Sequence, residues 1–143
     1  MERQRLGGSR EMNKLTKKQN DFLKRYEEFL KEVDEAVRYA GECSIQGDED
    51  IADRLLSSVS SGLLPYHPEN ITLFSIFKED KKCMNVLQTF YKTVQRAASL
   101  EEETMESADR MHLVYEEYLP QLEKWRACVK SAGESRGSDY ARH

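Results

Sequence analysis

The chain has 143 residues, 34% of them charged, and a formal net charge of −4. This length is enough for one domain with a hydrophobic core of its own. Three prolines and seven glycines are few, which favours long helices over a sheet protein with many turns. No window approaches the roughly 20 apolar residues of a membrane span, and the first residues lack the apolar segment of a secretory signal. The composition therefore indicates a soluble, helical protein.

The cysteines bear on the compartment. Cys43, Cys83 and Cys128 are odd in number and far apart in the sequence, a pattern that favours free thiols over a disulfide framework. Because free thiols are typical of reducing compartments, we expect the protein to be intracellular and cytoplasmic.

The first periodic segment predicts a long helix over about residues 11–41. Apolar residues recur every seven positions from Leu15 to Ala36, and Leu23, Leu30 and Val37 widen the same stripe. Such spacing is typical of one face of an α-helix that packs against other helices. Gly41 suits the position that follows a helix end, so we expect the helix to stop there.

A short second helix and a compact linker follow. Asp48, Glu49 and Asp50 precede an apolar face that begins at Ile51, and acidic residues at this point suit a helix N-terminus. The linker contains Pro65 and Pro68, which a helix interior does not accommodate. Asn70 has the form of the next N-cap.

The helical period returns at Ile71 and continues to about Val129, with a break predicted near Ser99. Ser99 and Glu102 have the spacing of a capping box, which predicts two helices, 70–98 and 99–131. A straight helix over the whole segment would be roughly 90 Å long and would require a dimer. We therefore predict an all-α fold, an antiparallel bundle of three long helices plus one short helix with coiled-coil-like packing. The bundle domain spans residues 11–131, between disordered tails at residues 1–10 and 132–143.

Charge predicts which helices are neighbours. The segment 3–25 is mainly basic, whereas residues 99–123 carry eight carboxylates and Arg110 as the one Lys or Arg. We expect the first helix to lie beside the last, although each exposed ion pair contributes only about 0 to 1 kcal/mol.

The sequence contains little that predicts chemistry. The histidines and cysteines lack metal-ligand spacing, and Asp109 and His112 supply one of the two motifs that a carboxylate-bridged metal bundle requires. Phosphate-binding loops and hydrolase motifs are absent from the sequence. We therefore expect a protein that is not an enzyme and that has no catalytic residues, no cofactor and no bound metal.

The function that this pattern favours is protein–protein interaction. An adaptor or a subunit of a larger assembly would bind partner helices through apolar helix faces, and a homodimer is an alternative form of the same activity. The candidate partner-binding residues are those that widen the apolar stripes: Leu23, Leu30, Phe74, Phe90, Tyr118 and Trp125.

Two further hypotheses concern the surface of the molecule. The alternative function is a helical dimer that binds a membrane surface, with basic residues of the first helix facing anionic lipid: Lys14, Lys17, Lys18, Lys24 and Arg25. Nucleic acid is not expected as a partner. Ser99 follows Arg96 by three residues, a pattern that basophilic kinases use, so Ser99 is a candidate phosphosite as well as a candidate helix cap.

Overall fold

The computed structural model describes residues 14–103 and 105–137. Its regular elements are helices α1 (Lys17–Ile45), α2 (Glu49–Leu63), α3 (Ile71–Phe77), α4 (Lys81–Ala98), α5 (Ser107–His112) and α6 (Leu119–Arg136), with a 3₁₀ turn (Leu100–Glu102) and a π segment (Leu113–Tyr118). The described ranges contain no strand. The all-α prediction is confirmed, whereas the predicted tails at residues 1–10 and 138–143 lie outside the described residues.

The four longest helices form a ring around one core. Helix α1 packs against α2 and α6, and α4 packs against the same two helices. The π segment joins α5 to α6 without a break in the helical path. The antiparallel order and the coiled-coil geometry stay predictions.

The predicted helix over residues 70–98 is divided into α3 and α4. The carboxylate of Asp80 accepts a hydrogen bond of 3.0 Å from the backbone N–H of Cys83, so Asp80 acts as the N-cap of a new helix. Helix α3 buries Leu73, Ile76 and Phe77.

Helix α1 begins with a capping box and ends later than predicted. Thr16 accepts from the backbone N–H of Gln19 at 3.1 Å, and the side chain of Gln19 accepts from the backbone N–H of Thr16 at 2.9 Å. The predicted stop at Gly41 is wrong, because α1 continues to Ile45. Gly41 lies in the helix interior, where the ring of Tyr115 from the π segment packs against it.

The core contains two buried polar contacts between aromatic residues and their neighbours. The indole N–H of Trp125 donates to the hydroxyl of Tyr26 at 2.9 Å, and the hydroxyl groups of Ser60 and Tyr118 are 2.7 Å apart. These bonds satisfy polar atoms that would otherwise be costly to bury.

The predicted capping box at Ser99 is also wrong. Ser99 ends α4, and its hydroxyl donates to the carbonyl oxygen of Gln95 at 3.1 Å. The chain then makes the 3₁₀ turn because Leu100 is buried in the core, and α5 begins only at Ser107.

A buried arginine holds α5 against α2. Arg110 is 2% exposed, and its guanidinium donates to both carboxylate oxygens of Asp53 at 2.6 and 3.0 Å. A third bond reaches the carbonyl oxygen of Met105 at 2.9 Å. The bidentate pair fixes the orientation of the two helices.

Hydrogen bonds join the start of α1 to the end of α6, and the end of α6 to α3. The backbone N–H of Leu15 donates to the carbonyl oxygen of Arg136 at 3.0 Å, and the guanidinium of Arg136 donates to the carbonyl oxygen of Ile76 at 2.6 Å. These bonds explain why α6 continues to Arg136, so that residues 132–136 are helical and are not part of the predicted tail.

A disulfide joins Cys83 of α4 to Cys128 of α6, with their Cα atoms 5.9 Å apart. The expectation of free thiols is therefore wrong for these two residues, and Cys43 is buried and free. The sequence separation of 45 between the two cysteines gave no sign that they are close, because α4 and α6 are neighbours only in the folded ring. Within the described ranges, no helix is long and apolar enough to cross a membrane.

Candidate partner-binding groove

Five of the six predicted partner-binding residues belong to the core of this chain. Leu23, Leu30, Phe90, Tyr118 and Trp125 are all buried, and their placement on the partner-binding surface is corrected accordingly. Each long helix of the ring has two neighbours, so a wide apolar stripe is needed within the molecule itself. Phe74 differs, because 48% of its surface is exposed.

Phe74 borders a groove between α3, the α2–α3 linker and α4. The groove has a volume of about 530 Å³ and is lined by His67, Pro68, Glu69, Phe74, Met84, Gln88 and Tyr91. Of these seven residues, only Phe74 is among the partner-binding residues predicted from the sequence.

The linker wall of the groove is held by hydrogen bonds. The side-chain amide of Asn70 donates to the carbonyl oxygen of Pro65 at 2.9 Å and accepts from the backbone N–H of Leu73 at 3.0 Å. The imidazole Nδ1 of His67 accepts from the backbone N–H of Glu69 at 3.1 Å. A linker fixed in this way presents a preformed wall, which reduces the entropy that binding must offset.

The opposite wall is one stripe of α4. Met84, Gln88 and Tyr91 follow one another at spacings of four and three residues, so they share a helix face. The hydroxyl of Tyr91 donates to the carbonyl oxygen of Leu64 at 2.7 Å, and partial burial raises the pKa of this phenol. The ring of His67 meets the ring of Tyr91 edge-on at 6.0 Å.

Helix α3 supplies Phe74 to the groove edge, and Ile71 lies outside the groove. Its buried face uses Leu73, Ile76 and Phe77, whereas Ile71 is 86% exposed and Phe74 is 48% exposed. A seven-residue helix with apolar residues on both faces was the signal in the sequence that could have marked this site.

The predicted basic surface is accessible. Lys14, Lys17, Lys18, Lys24 and Arg25 are all exposed. The ammonium of Lys17 lies 3.2 Å from the carboxylate of Asp21. The side-chain amide of Gln19 donates to the hydroxyl of Ser75 at 3.1 Å, which places the start of α1 beside α3.

The first helix does lie beside the last one, α6, but an ion pair between described residues of the two helices has the opposite polarity to the predicted one. Arg126 of α6 lies 3.8 Å from Asp34 of α1. The carboxylates of the acidic segment pair with arginines outside α1. Glu117 pairs with Arg96 at 2.8 Å, and Glu101 lies 3.9 Å from Arg54 of α2.

A second groove of about 480 Å³ separates α1 from α6. Charged side chains of both signs line most of it: Glu27, Asp34, Arg38, Glu123, Arg126 and Lys130. Burial raises the pKa of Glu27 despite the nearby ammonium of Lys130. The opposite charges in this groove already pair with one another. It therefore leaves fewer unpaired groups for a partner to contact than the α3–α4 groove does.

The candidate phosphosite Ser99 and the candidate metal ligand His112 do not line the α3–α4 groove. Ser99 is half-buried and its hydroxyl is occupied by the bond to Gln95, and its phosphorylation stays a prediction. The imidazole of His112 lies 3.0 Å from the carboxylate of Glu117. Across residues 14–103 and 105–137, no cluster of three His, Cys, Asp or Glu side chains could hold a metal ion.

The fold defines an all-α protein with a groove of mixed polar and apolar lining beside a short helix. The chain belongs to the family described as Domain of unknown function (DUF8042), whose model matches residues 21–128. Neither the curated proteins nor the solved structures compared with this chain contain a match.

Proposed function

We propose that this protein is a non-enzymatic interaction module, an adaptor or a subunit of a larger assembly, whose α3–α4 groove binds a helix of a partner protein. The observation that supports this function is the preformed groove of about 530 Å³ with the half-exposed ring of Phe74 at its edge. A half-exposed aromatic side chain beside a groove that mixes apolar and polar groups is typical of a residue that anchors a partner.

The shape of the α4 wall favours a helical partner. Met84, Gln88 and Tyr91 form a row with helical spacing, and apolar residues of a partner helix at i, i+3 or i+4 and i+7 would match that row. The flexible thioether of Met84 adapts to different apolar partners. Glu69 at the rim would favour a basic residue on the partner.

The disulfide alters the compartment that we propose for this protein. Disulfides persist in oxidising compartments and are rare in the cytoplasm. The bond between Cys83 and Cys128 therefore favours an oxidising compartment over the cytoplasmic location expected from the sequence.

Site-specific photo-crosslinking in cells would test the groove. A photoreactive amino acid replaces Gln88 in the groove wall, and a control variant carries it at Glu35, an exposed position of α1. We expect one protein to crosslink at Gln88 and not at Glu35. Equal labelling at the two positions, or a crosslink to a second copy of this chain, contradicts the proposal.

Binding measurements on the purified pair would follow. Phe74→Ala should weaken the affinity by about tenfold or more, as expected for an anchor residue. Ile51→Ala is the matched control, because Ile51 is apolar and 48% exposed on α2, and it should leave the affinity unchanged. If the two variants bind equally well, the partner does not use this groove.

A further inference from the structure

Three segments of the chain meet at one end of the bundle. The start of α1 contacts α3 through the bond from Gln19 to Ser75, and the end of α6 contacts α3 through the bond from Arg136 to Ile76. The backbone N–H of Leu15, just before α1, donates a hydrogen bond to the carbonyl oxygen of Arg136 at the end of α6. We call residues 14–21 and 71–82 at this end the basic end.

The basic end has the opposite charge to the chain as a whole. It contains six exposed lysines and three carboxylates, Asp21, Glu79 and Asp80, a balance of +3 in a chain with a net charge of −4. The lysines come from both segments: Lys14, Lys17, Lys18, Lys78, Lys81 and Lys82. Lys24 and Arg25 continue the positive charge along α1.

The other end of the bundle is strongly acidic. Residues 42–54 contain five carboxylates and one arginine, and residues 101–110 contain the same numbers, so each segment has a balance of −4. The ion pair between Glu49 and Arg110 brings the two segments together. The molecule is therefore electrically polarised along its length.

The most exposed large hydrophobic side chain among the described residues lies within the basic end. Ile71 is 86% exposed and shares an outer face of α3 with Phe74, one turn away. Lys78 follows one residue after the end of α3. Exposed apolar side chains at the same end of a protein as a group of exposed lysines are typical of proteins that bind at the surface of an anionic membrane.

From this arrangement we propose that the basic end docks on a membrane surface rich in anionic phospholipid. The lysines contact lipid headgroups, and Ile71 and Phe74 enter the boundary between headgroups and acyl chains. The acidic end is repelled by the same surface and points away from it, which gives the docked protein one orientation. A nucleic acid would match the lysines but would leave Ile71 without an apolar environment.

This inference does not depend on the proposed function. Phe74 borders both surfaces, whereas Ile71 and the lysines do not line the groove. A partner helix and a membrane would therefore compete for Phe74, and variants at Ile71 or at the lysines test the membrane alone.

Vesicle co-sedimentation of the full chain tests the lysines. We expect binding to vesicles of phosphatidylcholine mixed with phosphatidylserine, little binding to phosphatidylcholine alone, and weaker binding as salt is added. Lys81→Glu with Lys82→Glu should reduce binding by more than about tenfold, since each basic residue contributes about 1 kcal/mol at such a surface. Both positions are in the first turn of α4, where acidic residues are favourable, so the helix is retained. The control is Lys31→Glu with Lys92→Glu, which has the same change in charge at exposed positions elsewhere and should bind almost normally.

The apolar contact has its own test. Ile71→Ser should weaken vesicle binding by several-fold, whereas Ile51→Ser, a matched exposed isoleucine of α2, should not. Circular dichroism checks that each variant is folded. The proposal is overturned by an absence of preference for phosphatidylserine, by equal loss in the two lysine variants, by normal binding of Ile71→Ser, or by tighter binding to a DNA duplex than to vesicles at equal phosphate concentration.

Discussion

Gly41→Ala tests the packing between α1 and the π segment. A Cβ atom at position 41 would lie 2.7 Å from Cζ and 3.1 Å from Cε2 of Tyr115, closer than carbon atoms normally approach. The ring belongs to a half-buried side chain of the π segment, whose neighbours Val114 and Tyr118 are fixed in the core. We expect that the ring cannot move away without loss of packing.

The magnitude follows from two opposing effects. In a helix interior, alanine is more favourable than glycine by about 1 kcal/mol, whereas overpacking of this kind costs about 1–3 kcal/mol. With a packing cost near the middle of that range, Gly41→Ala should lower the free energy of unfolding by about 1 kcal/mol. The melting temperature should fall by about 3 °C.

A double-mutant cycle measured by urea unfolding separates these effects. The four proteins are the parent, Gly41→Ala, Tyr115→Ala and the double variant. Once Tyr115 is truncated, Gly41→Ala should stabilise the protein by up to about 1 kcal/mol, because only the helix preference remains. The reasoning is refuted if Gly41→Ala stabilises the parent, or if it destabilises both backgrounds equally.

Three other predictions concern the cross-link, the core and the charged groove. Replacing Cys83 and Cys128 with serine should cost about 4 kcal/mol, from the chain entropy of a 45-residue loop, and calorimetry should show a large fall in melting temperature that reduction of the parent reproduces. Ser60→Ala leaves the buried hydroxyl of Tyr118 without its partner and should cost about 1–3 kcal/mol in urea unfolding, and most of this loss should be recovered when Tyr118→Phe is added. Burial raises the pKa of Glu27 above its ordinary value of 4.5, so the folded state binds the proton more tightly than the unfolded state and stability falls as pH rises through the range just above that value. Glu27→Gln should therefore raise the melting temperature at neutral pH and have little effect below about pH 4, and an equal gain at both pH values contradicts this cause.

The helical fold could be predicted because it depends on local spacing. Apolar residues of α1 and α4 recur at three and four positions, and that period is sufficient to predict an amphipathic helix. Asp80 interrupts the apolar stripe of residues 71–98 in the sequence, and it is the N-cap between α3 and α4. The boundaries that depend on tertiary contacts could not be predicted in the same way.

Gly41 and Ser99 show the difference. Glycine after a helical pattern commonly ends the helix, but here the close approach of Tyr115 requires a glycine inside α1. Ser99 has the sequence of a capping box, but burial of Leu100 turns the chain before a helix can begin. At Gly41 a contact with a residue distant in sequence determines the local structure, and at Ser99 burial of the next residue in the core does.

The candidate site was predicted only in part for a related reason. A wide apolar stripe indicates either an external partner or two neighbours within the chain, and the closed ring of α1, α2, α4 and α6 supplies two neighbours for each long helix. Phe74 is exposed because α3 is too short to take part in that ring. The pairing of Cys83 with Cys128 was hidden in the same way, since it depends on which helices are adjacent.

The hydrogen bond between Leu15 and Arg136 has a practical consequence for protein engineering. Since the start of α1 and the end of α6 are in contact, a short linker could connect them, and new termini could be opened at Gly47. This glycine lies in the exposed turn between α1 and α2 with a φ of 91°. Such a circular permutant would retain all the helices in their present arrangement, and the bundle could equally be inserted into a surface loop of a host protein as a reporter of proximity.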